Sequence, residues 1–344
     1  MMIPCHKAKV IEITSDTTRD ETGVKFRAQE LRLVIKSGLV KGLTVMVPYE
    51  FEVGQTARPM EVGDMVIVGR NVVLPEPMYY INDVYRLDAL WLILALFVII
   101  TVVLARWRGV RAFAGLAITF LVIFFFMVPR MVEGANPVLI SFVGSMLIAL
   151  TALYVAHGLN QRTHIAFISI CITLLIAFVV GIVFIYLTEL SGIGTEDAFY
   201  LQFAGIQRID VRGLLLGAMI VGALGILDDV ATTQAATVGE LHEANPKLTR
   251  RELYQRGLIV GREHIISLVN TLALAYTGAA FPLLLLFTIF KRPVWVTLNS
   301  EIILEEVIRM LVGSIALIAA VPITTFFAAW YFGRQGKVQN TPPM

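Results

Sequence analysis

Residues 213–240 read GLLLGAMIVGALGILDDVATTQAATVGE, and the class of fold turns on them. The stretch opens as a glycine-laced apolar run of membrane-spanning length. Two adjacent carboxylates, Asp228 and Asp229, follow, and after them come small and hydroxylated residues rather than a charged loop. A carboxylate bordering hydrocarbon is costly and marks a functional site by default. Composition agrees with a membrane setting: the 344 residues are 57% hydrophobic and 16% charged, with mean hydropathy +0.76. Soluble domains carry about 25% charged residues. The net charge of +2 sits in short loops between apolar runs, which gives no footprint for nucleic acid.

Working outward, a spanning helix needs about 20 mostly apolar residues. Segments 87–105, 110–128, 137–156, 165–187, 213–231, 265–290 and 302–332 meet that, which predicts seven helices over residues 86–336. Pro322 predicts a kink in the last. Residues 1–85 differ. AKVIEIT, FRAQELRLVI, LTVMVPYEF and DMVIVG alternate or run apolar over strand lengths between SG, KG and VGD turn signals. In QELRLVI, Leu31, Leu33 and Ile35 share one face, with Arg32 and Val34 on the other. The expectation is a helical polytopic membrane protein with a small amino-terminal β-domain of about five strands.

Basic residues set the orientation. One side holds 11 Lys and Arg, among them Arg106, Arg108, Arg111, Arg162, Lys247, Arg334 and Lys337; the other holds Arg130, Arg208, Arg212, Lys291 and Arg292. The richer side is expected in the cytoplasm, with residues 337–344 as a cytoplasmic tail and the β-domain outside. Trp91, Trp295, Trp330 and Tyr331 near segment ends fit interfacial anchoring. No apolar h-region precedes the β-domain. Either segment 87–105 acts as a reverse signal anchor or, the preferred expectation, a further apolar helix upstream of Met1 carries it across.

The polar candidates cluster late in the chain. At helical spacing Asp229, Thr233 and Glu240 share one face, and Asp228 and Thr232 its neighbour. Two like charges in a row repel, so one is expected to hold its proton, as a proton-coupled site requires; a hydrated pair marking where the helix leaves lipid is the alternative. Gly213, Gly217, Gly222 and Gly225 read as close-packing positions. Thr249 before Glu252 is a capping-box pattern, and residues 237–263 are expected to form a loop with an amphipathic surface helix. Asn270 and Thr271 either face the carboxylates or glue helices together. In NSEIILEEVIRM, Ser300 suits an N-cap and Glu305 pairs with Arg309 at i,i+4, so Glu305, Glu306 and Arg309 read as a capped helix start or as secondary polar candidates. A short helix is expected over Glu196–Phe203. Cys5 and Cys171 make no disulfide or metal pattern, and HExxH, GxSxG and Walker motifs are missing, so neither an enzyme nor a cofactor or metal site is expected. An intramembrane aspartyl protease would need aspartates from two helices, which an adjacent pair does not give.

GALGILDDVATTQAATVGEL, GLIVGREHIISLVNTLALAYTGA and SEIILEEVIRMLVGSIALIAAVPIT, with AKVIEI, QELRLVIKSGLVKG and GDMVIVG near the start, resemble the YibE/F-like family of bacterial multi-pass membrane proteins. That likeness implies an integral protein of the cytoplasmic membrane and no particular activity. The order of a glycine-rich helix, an acidic motif and a polar returning helix is also similar to the closing half of SecD/SecF and related proton-driven transporters. This second likeness implies proton coupling at Asp228 or Asp229, faced by Asn270 and Thr271. The functional expectation is a proton-coupled transporter or export factor in the lipid bilayer. The alternative is an assembly or sensing protein whose outer β-domain binds a protein partner. A small solute and a homo-oligomer both stay open, and nucleic acid is not expected.

Overall fold

A computed structural model describes residues 5–21, 24–54, 58–71, 78–203, 209–291 and 293–338. Arg208, Arg292 and residues 339–344 of the expected tail lie outside the described residues, and the side chains of Arg334 and Lys337 are likewise not described. The chain divides into two compact units, Met1–Val103 and Leu104–Met344.

The first unit is a five-stranded antiparallel sheet in the order β3-β2-β1-β4-β5, followed by helix α1. Its strands are β1 (Cys5–Glu21), β2 (Val24–Ile35), β3 (Thr44–Glu52), β4 (Met65–Asn71) and β5 (Met78–Val84). Register places Leu31 opposite Val47 and Leu33 opposite Val45, so alternate residues meet in one core. Ala8, Val10, Leu31, Leu33, Ile35, Val66 and Val68 are fully buried there, which is the face predicted for β2. Irregular register after Val10 and Ile13 bends the long β1. Gln29 is buried and exchanges two hydrogen bonds with the backbone of Met60, at 2.8 and 3.3 Å. Asp16 accepts from Arg27 at 2.7 Å and from Gln29 at 2.9 Å, and the Arg27 guanidinium holds its carboxyl down at about 2. Lys7 lies 3.6 Å over the Tyr85 ring and 3.3 Å from Asp88, which joins β1 to the start of α1 (Leu87–Ala105). No residue of α1 is buried.

The second unit is helical: α2 (Trp107–Val132), α3 (Pro137–His157), α4 (Gln161–Leu187), α5 (Glu196–Phe203), α6 (Val211–Ala244), α7 (Arg250–Ala279), α8 (Phe281–Ile289), α9 (Val294–Leu298) and α10 (Glu301–Val338). With α1, seven helices among the described residues are long and apolar enough to cross a membrane, so this is a multi-pass membrane protein. Helix α6 is the axis of the unit, packed by α3, α4, α7 and α10. Leu227, Val230, Ala231, Ala235 and Val238 along it are fully buried, as are Ala316, Leu317, Ala320 and Val321 of α10.

Four boundaries differ from the sequence reading. Residues 237–244 continue α6 instead of opening a loop. The expected surface helix is the first half of α7, which runs unbroken from the Thr249–Glu252 capping box to Ala279. Gly257 and Gly261 explain this. A Cβ on either would collide with Thr325 or Val321 of α10, so the polar-looking start of α7 is pressed into the bundle. The apolar remainder of the expected 265–290 span breaks at Ala280, before Pro282, and resumes as α8. Helix α2 extends past 128 through a π turn at Ile123–Met127, which ends two residues before Pro129, whose nitrogen has no proton to give. Pro322 lies inside α10 without ending it.

Candidate functional site

Asp210 starts α6, its side chain accepting from Gly213 N at 3.0 Å. The glycines then set how closely α6 is approached. A Cβ on Gly217 would run into Ser141 of α3, whereas one on Gly225 would meet nothing. The open space beside Gly225 is a cavity of ≈ 440 Å³ between α2, α3, α4 and α6. Its lining is mostly apolar and includes small residues, Gly115 of α2 and Ala149, Ala152 and Ala156 of α3.

Asp228 and Asp229 both line this cavity, but they are not equivalent. Asp229 is exposed. Asp228 is half-buried, and its Oδ1 is shut away from solvent with no hydrogen-bond partner. The hydroxyl of Thr232 does not serve the carboxylate; it donates to the carbonyls of Asp228 and Asp229, at 2.8 and 3.2 Å. Thr233 is exposed, and its carbonyl accepts from Thr237 at 2.9 Å. His157, the last residue of α3, also lines the cavity and is exposed. It is a third titratable group that the sequence reading did not single out. Among the described residues no group of three His, Cys, Asp or Glu side chains could hold a metal ion.

The other named residues lie elsewhere. Glu240 accepts from Arg162 at 2.9 Å, and the same guanidinium meets Glu243 at 2.5 Å, so Glu240 joins the end of α6 to the start of α4. Asn270 and Thr271 are exposed on α7, and Thr271 donates to the Ser267 carbonyl at 2.9 Å. Neither side chain lines the cavity, which α7 does not reach.

At the opposite end of α6 the secondary candidates form a latch. Glu305 is 3% exposed and accepts from Gly194 N at 3.0 Å, while Glu301 accepts from the amides of Ser191 and Gly192 at 2.6 and 2.9 Å. The expected Glu305–Arg309 pair is therefore replaced. Glu305 turns to the 190–194 loop, and Arg309 binds Glu306 one position on, at 2.6 Å. Arg212 donates to the Leu190 carbonyl at 2.7 Å and closes the same loop from α6. Helix α5 falls on Glu196–Phe203, as expected.

One buried polar knot was missed altogether. Gln234 of α6 is 3% exposed and donates to the Gly257 carbonyl of α7 at 2.8 Å and to Thr325 Oγ1 of α10 at 2.7 Å. The available signal was the uncharged amide in TTQAAT, at helical spacing from buried alanines.

Comparison with known proteins gives one family. Residues 93–334 match the family model described as YibE/F-like protein, and that range includes the cavity, the latch and the knot. No curated protein and no solved structure matches the chain.

Proposed function

The chain belongs to the YibE/F-like family, and we propose that it is a proton-coupled transporter or export factor in which Asp228 is the coupling carboxylate. The observation that carries this reading is the buried, unpartnered Oδ1 of Asp228 on the wall of an apolar cavity inside the bundle. An anion so placed is strongly disfavoured unless a cation or a proton joins it. Movement of α2 and α3 against α6 would expose the carboxylate to one side or the other, and the small residues between them leave room for such rocking. Asp229 and His157, both exposed, line the same cavity. In this reading the β-domain lies outside the cell membrane, the carboxyl terminus lies inside, and the cargo is a small solute.

The test is reconstitution of the full chain in liposomes holding a pH-sensitive dye, with an imposed pH gradient. Wild-type protein is expected to carry protons. Asp228→Asn is expected to reduce flux to the protein-free leak, and Asp229→Asn to slow it less. Equal flux from wild type and the double variant would end the transport reading.

A further inference from the structure

We infer that the cavity beside Asp228 is a binding site for a small organic ammonium ion with an apolar body, and that this ligand and a proton compete for one carboxylate. The role of such a ligand as cargo rests on the transport reading, whereas the site itself rests on size, wall chemistry and charge. At ≈ 440 Å³ the cavity falls in the range of about 300–1,000 Å³ that holds small ligands. Leu116, Ile148, Leu153, Ile170 and Leu224 supply hydrocarbon from four different helices. The hydroxyl of Thr119 is already given to the Gly115 carbonyl at 3.2 Å, so α2 offers a ligand little polar surface.

Charge then selects the occupant. No Lys or Arg is among the residues that line the cavity, and Asp228 Oδ1 has no donor. An anionic ligand would meet two carboxylates, and a neutral one would leave the Asp228 charge uncompensated, so the complementary ligand is a cation. A bare metal ion fits poorly, since calcium takes 6–8 oxygens and magnesium near-ideal octahedral ligands, and no three-residue ligand group stands among the described residues. An ammonium group on an apolar body satisfies both walls and carboxylate.

Exchange follows from stoichiometry. A protonated Asp228 no longer neutralises an ammonium, so proton and ammonium compete for the one carboxylate charge. Arrival of the ammonium sends the carboxyl proton to solvent, and protonation expels the ammonium. The titratable groups that line the cavity with this carboxylate are Asp229 from its own helix and His157 from α3; the polar residue from α2 is Thr119, and α4 contributes only Ile170.

The experiment is calorimetric titration of 2-phenylethylammonium into full-length protein in lipid nanodiscs, in two buffers of different ionisation enthalpy. Saturable binding is expected, with proton release and with affinity falling as pH is lowered. The uncharged 3-phenyl-1-propanol should bind far more weakly. Asp228→Asn should weaken the amine by about thirtyfold or more, as for loss of one partner in a buried charge pair, and Asp228→Glu should restore most of it, which separates lost charge from lost folding. Failure of the amine to saturate wild-type protein, equal binding to Asp228→Asn, or equal binding of the alcohol overturns the inference. Proton flux in liposomes without amine binding sinks this site and leaves the transport reading standing. Asp228-dependent amine binding without flux does the reverse.

Discussion

Gln234 lies five residues beyond the acidic pair, yet it is the side chain on which α6, α7 and α10 converge. Its amide donates to partners 23 and 91 residues away, and Thr325 passes the interaction on to the Val321 carbonyl at 2.6 Å. Interhelical hydrogen bonds in membranes are worth about 0.6 kcal/mol on average and up to about 1.7. Because this one is buried and shared by three helices, the upper half of that range applies. A double-mutant cycle with Gln234→Leu and Thr325→Val, read by unfolding in mixed micelles, should give a coupling of about 1–2 kcal/mol. A coupling near zero would mean that the glycines alone hold the junction. Asp228 was legible in the sequence and Gln234 was not, for a physical reason. A charge near hydrocarbon is expensive whatever surrounds it, but an amide becomes significant only through distant partners. The same limit explains Glu305. Its i,i+4 partner Arg309 was visible, whereas the amide of Gly194, 111 residues away, was not.

At the scale of elements, hydrocarbon thickness made the apolar cores of the spanning helices readable, and strict alternation did the same for β2. Ends were harder. Residues 237–263 look like a loop and a surface helix because they are polar, but Gly257 and Gly261 let that polar segment be buried on one side while its charges face out. The 190–194 loop shows the converse, since backbone amides with no visible partner in sequence are bound by two carboxylates from α10. Gly192 is the residue on which this loop turns. Its φ is +84°, and a Cβ there would lie 2.7 Å from the Val211 carbonyl oxygen, which belongs to backbone and cannot swing aside. The left-handed conformation alone costs a residue with a Cβ about 1–2 kcal/mol. Gly192→Ala should therefore lower the thermal midpoint in detergent by several degrees and expose the loop to protease. Gly278→Ala, where nothing lies within 4 Å of the new carbon, should leave the midpoint unchanged or slightly raised. Equal midpoints for the two variants would show that the loop is not locked.

For the whole molecule, what matters is which compartment Asp228 sees. From Val211 it is about 26 Å along the α6 axis at ~1.5 Å per residue, close to the full ~30 Å of a hydrocarbon core. With the span counted from Val211, the cavity lies near the end of α6 that leaves the hydrocarbon. Basic residues argue that the membrane face there is cytoplasmic, yet several of them also serve packing. Arg111 donates to the Val155 carbonyl at 2.9 Å, and Arg162 ties α4 to α6. Some of the charge asymmetry is thus explained without topology, and orientation needs its own measurement. In a background with Cys5 and Cys171 replaced, Leu39→Cys places a thiol on a fully exposed turn of the sheet, and Lys247→Cys places one on the exposed turn between α6 and α7. A membrane-impermeant maleimide should label Leu39→Cys in intact cells and Lys247→Cys only after permeabilisation. That pattern puts the cavity mouth, with His157 and Asp229, on the cytoplasmic side, which in the proposed transport reading is the side of proton release. The opposite pattern would place the cavity mouth outside and, in the proposed transport reading, make Asp228 the entry point for external protons.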